Sequence, residues 1–132
     1  MTKIACLTTG LLAGVLLSTV AFSRLSDTAR LDPAKLAPEM YKVVLENNKL
    51  RAIDYHLKRG EQEPMHSHPC GVFVYFFTDA NMASTLPEGK TSESHNRAGD
   101  VVWRDPVIHF AKNLGNSEVH TLLVEPKESC QH

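Results

Sequence analysis

From Tyr41 onward the chain is cut into short β-prone runs by turn residues, and no helical periodicity of useful length survives. YKVVLE ends at the pair Asn47-Asn48. In KLRAIDYHLK, Ile53, Tyr55 and Leu57 alternate with Ala52, Asp54 and His56, the two-residue period of a strand with one apolar face. GVFVYFF, residues 71 to 77, is apolar at every position after its glycine and predicts a strand buried on both faces. PEGK at 87 to 90 predicts a turn joining NMASTL and KTSESH into a hairpin. DVVWR, VIHFAKN and SEVHTLLVE follow, joined at Ala98-Gly99-Asp100 and Leu114-Gly115-Asn116. Roughly eight or nine short strands with nothing helical between them predict an all-β sandwich or barrel.

The beginning of the chain is of another kind. After MTK, the stretch IACLTTGLLAGVLLSTVAFS carries no charge before Arg24, and Ala21 and Ser23 are small. This pattern predicts a signal peptide over residues 1–23, cleaved after Ser23. The alternative is an uncleaved anchor through residues 4–22, nearly long enough to span a bilayer. Either way the working part is expected outside the cytoplasm, secreted or periplasmic, with no stable membrane insertion once cleaved. Residues 24–40, polar with two prolines, read as a tether; 41–126 as the barrel; 127–132 as a C-terminal tail.

Cleavage leaves 109 of the 132 residues, enough for one core and too few for two domains. The formal charge of −1 becomes −2 with the loss of Lys3, and no basic cluster exists, which argues against nucleic acid and against an anionic membrane surface. A small molecule or an ion is left as the partner. Cys70 and Cys130 could pair in an oxidising compartment, although their spacing does not show that they meet. There is no G-x-S-x-G elbow, phosphate-cradling loop or H-E-x-x-H helix, and Cys70 has no placed base to make it a nucleophile.

The remaining chemistry lies in histidines. His66 and His68, two apart, project to one side if they lie on a strand, so their imidazoles can share one ion. Gly60 stands six residues before His66; later, Gly99 precedes His109, and Asn113 follows it by four. This arrangement resembles the cupin superfamily, whose first motif is G-x5-H-x-H-x3,4-E-x6-G and whose second is G-x5-P-x-G-x2-H-x3-N. The likeness spans residues 41–126 and departs from the pattern in named places. Val72 or Phe73 replaces the glutamate, Asp79 or Ala80 replaces the closing glycine, and Asp105-Pro106 stands where P-x-G is expected, one residue short.

The resemblance implies a conical double-stranded β-helix, a jelly-roll barrel of two antiparallel sheets, of the small single-domain kind. It makes His66, His68 and His109 the ligands of a divalent transition metal inside the barrel. Iron is the first expectation, with zinc, manganese, nickel or copper also suited to neutral imidazole. The implied activity is dioxygenase-like oxidation of a small organic substrate. The alternatives are a non-catalytic metal or ligand-binding module and a metal-dependent isomerase or lyase. Three neutral ligands leave the ion its full charge, so the substrate is expected to be anionic. The family also allows a homodimer.

No residue stands out as a general acid or base. His56 reads as solvated beside Asp54, His95 and His132 as background, and His120 as ambiguous in direction; Asn113 reads as holding a turn. Tyr75, Phe77, Trp103 and Phe110 read as core, with one or two lining the cavity.

Overall fold

The computed structural model describes residues 31–128. The expected signal segment, the alternative anchor, the first part of the tether, the end of the tail and Cys130 lie outside them. Among the described residues, no helix is long and apolar enough to cross a membrane.

A single helical turn, α1 (Pro33–Leu36), leads in. Asp32 caps it through an Oδ1 contact to the Ala34 N–H at 3.1 Å, and a proline occupies its first turn. Pro33, Ala37 and Met40 are buried, so this part of the stretch read as a tether packs against the barrel. Nine strands follow: β1 (Tyr41–Glu46), β2 (Leu50–Leu57), β3 (His66–His68), β4 (Val72–Phe76), β5 (Ala80–Thr85), β6 (Thr91–Asn96), β7 (Val101–Arg104), β8 (Val107–Asn113) and β9 (Val119–Pro126).

They form a five-stranded sheet, β1-β2-β9-β4-β7, and a four-stranded sheet, β3-β8-β5-β6, with antiparallel pairing throughout. PEGK does close the β5–β6 hairpin, with the Leu86 N–H donating to the Lys90 carbonyl at 2.9 Å. The inner faces of both sheets supply one core. Ile53, Leu57, Val72, Val74, Phe76, Val119 and Leu123 come from the larger sheet, and Met82 and Ala111 from the smaller.

Alternation decides which residues enter the barrel. Along β9, Val119, Thr121, Leu123 and Glu125 are buried, while His120, Leu122 and Val124 are only partly so. The same rule corrects the expectation for GVFVYFF. In β4, Val72, Val74 and Phe76 face inward, Phe73 and Tyr75 are half-buried, and Phe77 beyond the strand is exposed. Among the described residues no layer covers its outer face, so one face alone is fully buried. Trp103, expected in the core, is 51% exposed on the outside of the edge strand β7. Cys70 is buried and disulfide-bonded.

Candidate metal centre

β3 is three residues long, yet it sets the site. It pairs with β8 so that His66 lies opposite His109, and His68 follows two residues on along the same side. All three rings are buried, and one nitrogen from each lies within 4.8 Å of the others. The three residues expected to converge do so.

The orientation of each ring is set from behind. His66 Nδ1 donates to the Pro64 carbonyl at 3.0 Å, and His68 Nδ1 to Glu125 Oε1 at 2.6 Å. His109 Nδ1 pairs with the Ser84 hydroxyl at 2.7 Å. The protons on Nδ1 of His66 and His68 leave lone pairs on their Nε2 atoms. The Nε2 atoms of His66 and His68 stand 3.0 Å apart, and His109 Nε2 is buried without a hydrogen-bond partner. Two acceptors at that distance repel unless a cation or proton lies between them. A buried, unpaired imidazole nitrogen aimed at the same point is the third donor. The set fits a transition ion bound by neutral imidazole, with orienting partners behind the ligands as such sites require.

Burial lowers His66 to about 4 and His109 to about 3, with the neighbouring imidazoles adding to the effect. Both rings are therefore neutral at ordinary pH, the form that ligates.

Behind His68 runs a chain of charges. Glu125 accepts from Arg51 Nε at 2.7 Å, and Arg51 Nη1 reaches the helix cap Asp32 at 2.8 Å. Burial alone would raise the Glu125 carboxyl, but the His68 hydrogen bond and the Arg51 charge outweigh it and hold it below its usual value. On the other side, Glu63 is buried beside His66 and accepts from the hydroxyls of Tyr41 and, at 2.7 Å, Tyr55. Burial, and then the Glu63 charge, raise both phenols well above the ordinary value, so they remain donors. The Tyr41 oxygen also lies 3.4 Å from His66 Nε2.

The rings border a cavity of about 60 Å³ whose walls include Val72, Val74, Phe76, Met82 and Leu123. Ser84, Arg104 and His109 also line an outer depression of about 310 Å³, so they stand between the two. Arg104 is half-buried there, and its guanidinium makes no hydrogen bond or ion pair among the described residues. Val72 lines the cavity in the place the motif reserves for glutamate, whereas Phe73 turns away. Asn113 holds a turn, donating to the Leu57 and Ser117 carbonyls at 3.0 and 2.8 Å and accepting from the Gly115 N–H. The aromatic side chains on the cavity are Tyr41, Tyr55 and Phe76; Tyr75, Phe77, Trp103 and Phe110 are absent from its lining.

No protein-family model matches the chain, and no curated protein matches it. Solved structures do. A cupin domain from Bordetella pertussis superposes with a TM-score of 0.61 at 20% identity, over 67% of this chain and 92% of its own. The fold is that of a cupin. An RmlC-like cupin family protein from Methanocaldococcus jannaschii matches with a TM-score of 0.55 at 16% identity, over 68% of this chain and 81% of that one. A conserved double-stranded β-helix protein from Klebsiella pneumoniae matches with a TM-score of 0.52 at 25% identity, over 68% and 78%. In this barrel the three histidines stand in the interior.

Proposed function

We propose that this chain is an exported, metal-binding cupin protein that acts on a small anionic organic molecule, with dioxygenase-like oxidation as its chemistry. The observation that carries the reading is the meeting of three buried imidazoles, each held from behind, with the Nε2 atoms of His66 and His68 facing each other at 3.0 Å and that of His109 without a hydrogen-bond partner. A divalent transition ion held by His66, His68 and His109, iron first, would supply a Lewis acid or a one-electron centre with open positions. The other site residues support an anion. No carboxylate stands among the three ligands, Val72 being apolar, and Arg104, on the cavity lining, has a guanidinium without a hydrogen bond or ion pair among the described residues. Tyr41, hydrogen-bonded to Glu63 next to His66, can hold a proton beside a bound substrate. The cavity, about 60 Å³, keeps the reacting part of the substrate small. Export rests on the signal pattern of residues 1–23.

Elemental analysis of the whole chain, purified from the exported fraction, tests the centre. His66→Ala and His109→Ala should each lose one equivalent of metal while the far-ultraviolet spectrum stays that of a folded barrel. Wild-type metal content in both variants would end this reading. Arg104→Met should keep the metal and weaken binding of small carboxylates about tenfold to a hundredfold, the range for hydrogen bonds to a charged group. Oxygen uptake with thiols, diketones, phenols and hydroxy acids then separates an oxygenase from a binding module or a redox-silent isomerase.

A further inference from the structure

On the outer face of the five-stranded sheet, Asp54, His56 and His120 meet. β2 and β9 place His56 directly opposite His120, and the two rings stack at 4.1 Å with 17° between their planes. Asp54, two residues before His56, shares its side of the strand. Its Oδ1 lies 2.7 Å from His120 Nε2 and its Oδ2 lies 3.3 Å from His56 Nε2. One ligand atom from each residue falls within 4.8 Å of the other two. Neighbouring ligands around tetrahedral zinc stand about 3.3 Å apart, because each bond is about 2.0 Å.

Glu118 supplies a second, independent feature. Its Oε1 accepts from His56 Nδ1 at 2.5 Å, which holds a proton on that nitrogen and turns Nε2 toward Asp54. A carboxylate behind an imidazole is how metal-ligating histidines are oriented. When His56 is neutral, its Nε2 and Asp54 Oδ2 are two acceptors that a cation can join. The surroundings are fixed as well. The His120 N–H donates to Thr78 Oγ1 at 2.9 Å, that hydroxyl donates to the Glu118 carbonyl at 3.2 Å, and Phe77 packs against the His120 ring at 4.5 Å. The side chains of Asp54, His56 and His120 remain between 32 and 40% exposed, so an ion can enter from solvent.

The geometry points to a second metal site, in which His56 Nε2, His120 Nε2 and Asp54 hold a borderline divalent ion such as zinc, with Glu118 as the positioning residue. Two imidazoles among three ligands select such ions over magnesium or calcium. A bound ion clamps β2 to β9, the strands that carry Arg51 and Glu125 to the back of His68.

The test is zinc binding by the chelator-stripped whole chain, followed by calorimetry and elemental analysis at a pH above the histidine range. The His66→Ala/His109→Ala double variant, folded by circular dichroism, should retain one equivalent. Adding His120→Asn or Asp54→Asn to it should remove that equivalent, while adding His95→Ala, a change on the distant hairpin strand β6, should not. Glu118→Gln should weaken the remaining equivalent about tenfold to a hundredfold. A folded double variant that binds no zinc overturns the proposal. So does an equivalent that survives both His120→Asn and Asp54→Asn, or one that His95→Ala removes. Failure of the interior centre has a different signature: the double variant then binds as much zinc as wild type, and His120→Asn still lowers the total.

Discussion

Val72 is one methyl-branched side chain in a cavity wall, at the position where the motif would place a carboxylate beside the three histidines. A glutamate there would give the ion an anionic ligand and give an incoming anion a competitor. Val72→Glu should destabilise the metal-free protein by roughly 3 kcal/mol or more, the scale of an uncompensated buried charge. Added metal should recover more stability in this variant than in wild type, while small carboxylates should bind it more weakly. Denaturant melts with and without metal, and calorimetry with the anion, measure both effects. Equal recovery by metal in the two proteins would show that position 72 does not reach the ion. Glu125 acts through His68. Glu125→Gln should keep the fold and lower metal affinity about tenfold to a hundredfold, as for other partners behind a ligating imidazole. His66 and His68 were legible in the sequence because an H-x-H pair carries its own geometry, and His109 through the resemblance of the segment from Gly99 to Asn113 to a family motif. Glu63, Glu125, Ser84, Tyr41 and Arg104 were not. Each comes from a different segment, and nothing local in YKVVLE or DVVWR announces that one side chain turns toward a histidine pair elsewhere in the chain.

At the scale of elements, the alternation of single strands was read correctly for β2, while the solid apolar run in β4 was misread. An all-apolar strand satisfies either a sheet covered on both faces or a barrel wall covered on one. The choice depends on what packs outside, which the strand does not encode. The turn before β4 is more tightly specified. Gly71 has φ +76°, and a Cβ there would stand 2.5 Å from Trp103 Cζ2 and 2.8 Å from the Arg104 carbonyl oxygen. Gly71→Ala therefore combines backbone strain with a collision against β7, and should cost about 3 kcal/mol or more. Gly99, at φ +92° with nothing within 4 Å, isolates the backbone part, and Gly99→Ala should cost about 1–2 kcal/mol. Urea melts compare the two. Emission from Trp103, the single tryptophan, should shift only in Gly71→Ala. Equal losses in both variants would remove the steric part of the account.

For the whole molecule, the interior histidines link stability to pH. His66 and His109 have folded values of about 4 and about 3, below the ordinary 6.5. The unfolded chain therefore binds protons at a pH where the folded chain does not. Stability of the metal-free protein should be full above about pH 6.5, fall as the pH drops toward about 4 and then 3, and level off below. Thermal midpoints of stripped protein across that range check the sign, and His66→Gln/His109→Gln should flatten the slope. A midpoint that rises on acidification would contradict the burial argument.

The sequence by itself determined the class of fold, the strand boundaries to within a few residues and three histidines able to share an ion. Those properties follow from a period of two along a strand, turn chemistry between strands, the H-x-H spacing and, for His109, the resemblance of its segment to a second family motif. Only the tertiary structure decided which neighbours surround those histidines. The order β1-β2-β9-β4-β7 brings Glu125 to His68 across 57 residues of chain and sets His56 against His120 on the outside of the same sheet. Strand register is a contact between distant segments. A shift by one residue would exchange the buried and exposed members of β9, and Glu125 and His120 would trade faces.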